Sequence, residues 1–109
     1  PCAGALAQAF AALGGEVEAF GKPHASAYGA CFAVLDGIPR GRIVAIGDSL
    51  RTDIAGAQAA GLDTVFVAGG IHAAELGVAS GGALEAARVQ EFLAAEGVPP
   101  VAALATLAW

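Results

Sequence analysis

Two short runs, Arg42–Gly47 (RIVAIG) and Thr64–Ala68 (TVFVA), are apolar and rich in β-branched residues, with no polar alternation after their first residue. A strand with no polar side is one covered on both faces, as in parallel sheets flanked by helices. Between the runs, Asp53–Ala60 reads as a short helix closed by Gly61. Strand, helix and strand in so short a stretch form a βαβ unit, whose crossover is right-handed. The expected class is α/β, with parallel strands and flanking helices.

The remaining segments attach to that unit. Leu6, Ala9, Phe10 and Leu13 recur at helical spacing, which predicts a helix over residues 3–13 stopped by Gly14-Gly15. Glu16–Phe20 alternates polar and apolar residues and predicts a short strand. A second helix is expected from Gly21-Lys22-Pro23 to about Leu35, with Pro23 as its first residue and Tyr28, Cys31, Phe32 and Leu35 as its buried stripe. A third covers roughly Ala83–Ala95, with Val89, Phe92 and Leu93 on one side. After Pro99-Pro100 the end of the chain is expected to be helical. No repeat or linker divides the 109 residues, enough for one small domain.

Composition removes several function classes. Hydrophobic residues make up 57% of the chain and charged ones 14%, which rules out a disordered tail. The net charge of −5 argues against nucleic acid and against anionic membrane as partners. No apolar run approaches the roughly 20 residues needed to cross a bilayer. Cys2 and Cys31 have no CxxC partner and no histidine at metal-ligand spacing, so free thiols and a cytoplasmic location are expected.

The residues with chemistry gather at two places, Gly21–His24 (GKPH) and Ala45–Ile54 (AIGDSLRTDI). Ligands of open parallel sheets bind beyond the carboxyl ends of the strands, and Asp48 directly follows a strand there. Asp53 opens the next helix, so the loop between them can turn both carboxylates toward one point. Two carboxylates suit Mg²⁺, a hard ion that takes oxygen ligands and often bridges to phosphate. The same spacing fits a simpler role, with Asp53 complementing the helix dipole and Asp48 capping the turn. Lys22 stands at a helix N-terminus, a place that attracts anions and is unfavourable for a cation unless an anion joins it. Ser49 fits either a phosphate contact or a turn cap. His24 and His72 lie far apart and read as surface or capping residues. Ser49 lacks the G-x-S-x-G setting, and the pairs Gly69-Gly70 and Gly81-Gly82 match neither a dinucleotide nor a Walker loop.

GKPH followed by RIVAIGDSLRTDIAGAQAAGLDTVFVAGGIHAAEL resembles the third and fourth motifs of the haloacid dehalogenase (HAD) superfamily. The nearest likeness is to its class IIA sugar- and nucleotide-phosphatase-like hydrolases, and it runs from about Gly4 to Leu76. The resemblance implies a partial Rossmann-like core and a Mg²⁺-dependent phosphatase acting on a small phosphorylated substrate. In it Lys22 would steady the phosphate, Asp48 and Asp53 would hold or orient the metal, and Ser49 would assist at the phosphate. The family's nucleophile and acid/base lie in a D-x-D segment. None of Asp36, Asp48, Asp53 and Asp63 has another aspartate two positions away, and the family's cap is missing too. The chain also lacks methionine. The expectation is therefore the carboxy-terminal portion of such a hydrolase, inactive alone. Its substrate is small and phosphorylated, and it self-associates through the edge of strand Arg42–Gly47, since bare edges recruit other chains. A non-catalytic assembly or regulatory module with a worn site is the alternative.

Overall fold

The computed structural model describes residues 2–78, 83–97 and 99–108. Its order is α1 (Ala3–Ala12), α2 (Ala25–Val34), β1 (Val44–Gly47), α3 (Ala55–Ala59), β2 (Asp63–Val67), α4 (Ala73–Leu76), α5 (Ala86–Glu96) and β3 (Ala102–Leu104). A 3₁₀ turn, Arg40–Arg42, leads into β1, and a π-helical turn, Leu50–Ile54, leads into α3. The Gly81-Gly82 pair, Val98 and Trp109 lie outside the described residues.

The three strands form one parallel sheet in the order β1-β2-β3. Val44 pairs with Asp63 and Gly47 with Phe66, while Phe66 pairs in turn with Ala103. Because paired residues share a face, Ala45, Thr64, Phe66, Ala68 and Ala103 point one way, and Val44, Ile46, Val65, Val67 and Leu104 the other. The first face carries the core. Leu50, Ile54, Phe66, Ala68, Leu76, Val78 and Val89 form one cluster, and Tyr28, Ala57 and Leu62 a second that Ile43 and Ala45 join. Thr64 is buried among them, and Gln58 ties it to the carbonyl of Pro99 through its side-chain amide.

Several expectations are corrected. The strands are apolar on both sides, yet only one side is covered: Val44 and Ile46 are about half exposed. Residues 16–20 make no strand, because backbone polar groups need a partner strand and none pairs with them. Helix α2 starts at Ala25, two residues after Pro23, since Gly21–His24 is taken up by a tight turn closed by His24 N–H on the Gly21 carbonyl (2.9 Å). Cys31 is exposed, so the stripe of α2 is narrower than its pattern suggests. Helix α1 forms but buries nothing, leaving Leu6, Phe10 and Leu13 exposed.

After Pro99-Pro100 the described residues form a short strand at Ala102–Leu104, not a helix. Val101 N–H binds the Thr64 carbonyl at 2.9 Å, and the Leu104 and Ala105 carbonyls accept from Ala68 and Gly69, each at 2.8 Å. Alanine favours helix, but the edge of β2 offers hydrogen bonds to the segment after Pro99-Pro100, and pairing decides its conformation. The radius of gyration is 16.1 Å. A compact chain of this length measures about 13 Å, so the bare face and unpacked α1 show in the overall size.

Candidate active site

The site forms where β1 ends. The π-helical turn is closed by Ile54 N–H on the Ser49 carbonyl, five residues back, at 3.1 Å. Ser49 caps it, its hydroxyl oxygen accepting from Thr52 N–H at 3.3 Å. The turn returns Asp53 over the strand exit, where its Oδ2 accepts from the backbone N–H groups of Asp48 (3.2 Å) and Ser49 (3.1 Å). Gly47 supplies room for it: a Cβ there would overlap the Asp53 side chain.

Lys22 reaches the same carboxylate from the other side. Its Nζ lies 2.5 Å from Asp53 Oδ1. Oδ1 is buried, and this ion pair is its contact within the chain. Gly56 allows the approach. A side chain there would come within 2.6 Å of the Tyr28 hydroxyl and 2.7 Å of Pro23 Cα, pushing the GKP segment off the turn that bears Asp53. Tyr28 closes the seam, its hydroxyl 3.4 Å from the carbonyls of both Thr52 and Asp53.

Burial works against the charged form of Asp53, but the Lys22 ammonium and the N–H groups of Ser49 and Asp48 outweigh it and hold the carboxyl below its ordinary value. Asp53 in turn raises Lys22, by contact and by charge, with smaller pushes from Tyr28 and Asp48. Burial, and then the charge of Asp53, raises the Tyr28 hydroxyl. Both members of the pair are therefore charged across the neutral range.

Asp48 is held differently. Its Oδ2 accepts from the N–H of Ile71, in the loop after β2, at 2.9 Å. Among the described residues no hydrogen bond occupies its Oδ1. A hollow of about 380 Å³ opens beside it, bounded by Ile46, Gly47, Val67, Gly69 and Thr106. The structure thus brings Lys22, Asp48, Ser49 and Asp53 to one place. His24 lies at the start of α2, and His72 pairs with Glu75 at 2.7 Å. Among the described residues no group of three or more His, Cys, Asp and Glu side chains is gathered for a metal.

The carboxylates of Asp48 and Asp53 are not equivalent. Asp53 has both oxygens engaged within the chain, while Asp48 has one to give. Ile71 and Gly56 were not singled out from sequence, and Gly70 only as part of a pair that matched no phosphate-binding loop. Their signal is contact across the fold, which spacing along the chain does not reveal.

The profile of the HAD-hydrolase-like family matches residues 19–94. Among solved structures, the chain is similar to a haloacid dehalogenase-like hydrolase from Brucella suis 1330, at 36% identity and a TM-score of 0.68, over 98% of this chain and 37% of that one. It is also similar to a possible sugar phosphatase of the HAD superfamily from Cytophaga hutchinsonii ATCC 33406, at 25% identity and 0.65, over 94% and 34%. A p-nitrophenyl phosphatase from Archaeoglobus fulgidus shares the fold at 20% identity and 0.67, over 97% and 36%. The chain spans about a third of the length of these proteins. No curated protein matches it.

Proposed function

The chain belongs to the HAD-like hydrolase family, and from that premise we propose that it is the carboxy-terminal part of a Mg²⁺-dependent, class IIA-like phosphatase acting on a small phosphorylated metabolite. The observation that carries this reading is the Lys22–Asp53 pair, 2.5 Å apart, seated on the loop that presents Asp48. A lysine beside two carboxylates at the carboxyl end of a parallel strand suits a dianionic phosphoryl group joined by a cation.

Each residue then has one task. Lys22 is more than half exposed, so its ammonium has donors left over for phosphoryl oxygens after meeting Asp53. Asp53 holds the backbone of Asp48 and Ser49 and keeps Lys22 charged and aimed. Asp48 would hold Mg²⁺ through its unengaged oxygen, and Ser49, whose O–H is free to donate while its oxygen caps the turn, would assist at the phosphate. The bound ion would neutralise charge on the phosphoryl oxygens. The fit is to a shared site: one available carboxylate and one organising carboxylate leave further ligands, the nucleophile and the acid/base to a D-x-D segment outside this sequence. The bare sheet face, the free edge of β1 and unpacked α1 favour such a complement. By itself the chain is expected to be inactive and to self-associate through that edge. No described helix is long and apolar enough to cross a membrane, and a cytoplasmic setting suits the two exposed free thiols.

The test is an assay of the isolated chain with p-nitrophenyl phosphate and Mg²⁺, repeated on the chain extended by its upstream reading frame. No turnover is expected in the first, and turnover abolished by Asp48→Asn in the second. Turnover by the isolated chain that Asp48→Asn removes would overturn the division of the site. An upstream frame without D-x-D would favour a non-catalytic module instead.

A further inference from the structure

We propose that the turn after β2 is a backbone cradle that sets the direction of the Asp48 carboxylate, with Gly70 and the amide of Ile71 as its positioning elements. The inference rests on the reading of Asp48 as the carboxylate that faces the metal.

Asp48 comes from β1, yet its Oδ2 is bound by a backbone N–H from the neighbouring strand's loop, Ile71 N at 2.9 Å. A Cβ on Gly70 would overlap the Oδ2, Cγ and Cβ of Asp48. Any side chain at position 70 therefore evicts the carboxylate from where it lies. The Ile71 side chain takes no part, being 67% exposed. The recognition is by main chain alone.

The turn is built to stay in place. Gly70 N–H reaches the Val67 carbonyl at 3.3 Å, and the Gly70 carbonyl accepts from Ala73 N–H at 3.0 Å. Gly69 N–H binds the Ala105 carbonyl at 2.8 Å, which ties the turn to the end of β3. The His72 ring packs against both Phe66 and Phe92, at 6.1 and 5.1 Å between centroids. One oxygen of Asp48 is thereby fixed and the other left to a ligand. A carboxylate fixed by one charge-assisted hydrogen bond loses less rotamer freedom when it binds a cation.

The experiment uses this chain, ¹⁵N-labelled, with two readouts: amide hydrogen exchange at Ile71, and Mn²⁺ affinity by paramagnetic relaxation. Asp48→Ala is expected to speed exchange at Ile71 roughly tenfold, and Asp48→Asn to leave most of the protection, since its amide oxygen still accepts. Gly70→Ala and Ile71→Pro are each expected to weaken Mn²⁺ binding by about tenfold or more. Ile71→Ala, which keeps the N–H, restores most of what Ile71→Pro loses. In an Asp48→Asn background, Gly70→Ala adds nothing further. Exchange at Ile71 indifferent to Asp48→Ala overturns the cradle, and so does Mn²⁺ affinity unmoved by Gly70→Ala where the parent chain binds. A parent chain that takes up no Mn²⁺ while Ile71 responds to Asp48→Ala upholds the cradle and shows that the ion needs the ligands supplied from outside this sequence.

Discussion

On one face of the sheet Phe66 is fully buried beneath α5 and the turn that starts α3, while on the other Ile46, two positions from Asp48, is 48% exposed. The two faces have much the same apolar character, so composition does not explain the difference. What differs is where this chain's own helices go. The covered face receives α2 to α5, and α1 stays apart without a buried residue. The candidate site sits at the end of the strand that separates the two. Its geometry is held by a few close contacts: a π-helical turn, a capping serine, two backbone N–H groups on one carboxylate and three close-approach glycines. A site half can thus be ordered while the sheet beneath it is still open on one side.

The sharpest way to break this comparison is to truncate one residue on each face. Phe66→Ala is expected to cost about 3–5 kcal/mol, and Ile46→Ala under about 1 kcal/mol, because only the first leaves a cavity. Urea unfolding midpoints for the two variants read this directly, and equal losses would mean that the second face is covered after all.

Asp53→Ala comes next. It strips the partner from two backbone N–H groups and from Lys22, and is expected to cost about 1–3 kcal/mol, the penalty for unmet polar groups. Asp48→Ala, which frees a single N–H, should cost less. Differential scanning of the two variants ranks them, and the reverse order would place the organising role on Asp48.

A smaller effect is expected at the open edge. Ile46→Lys puts a charge on the bare face beside the unpaired side of β1, and should shift sedimentation at high concentration toward the monomer without lowering the urea midpoint. A parent chain that is monomeric throughout would show that the exposed edge recruits nothing.

How far the sequence revealed this arrangement follows the range of the forces involved. The β1–α3–β2 unit was legible because unbroken apolar runs and a closing glycine are local signals. Residues 102–104 were not, since a short alanine-rich apolar run carries no period of its own and became strand by pairing with β2. Glu16–Phe20 shows the converse, an alternating pattern that found no partner. The meeting of Lys22 with Asp53 was foreseeable from the family resemblance, not from spacing. The reasons it is possible, Gly56 against Tyr28 and Pro23 and Gly47 against Asp53, are contacts between segments that no periodicity encodes.

The most direct test of the account is the titration of Asp53 in this chain by carboxyl ¹³C chemical shift, with and without Lys22→Met. Asp53, its pKa lowered, contributes stability that is present above the ordinary carboxylate pKa, about 3.9, and is lost as pH falls through the folded value. Lys22, its pKa raised, contributes stability that is present below about 10.4 and is lost as pH rises through its own folded value. The account predicts that Asp53 titrates below the usual range and moves upward when Lys22 is replaced. An Asp53 that titrates where free aspartate does, and ignores Lys22, would contradict it.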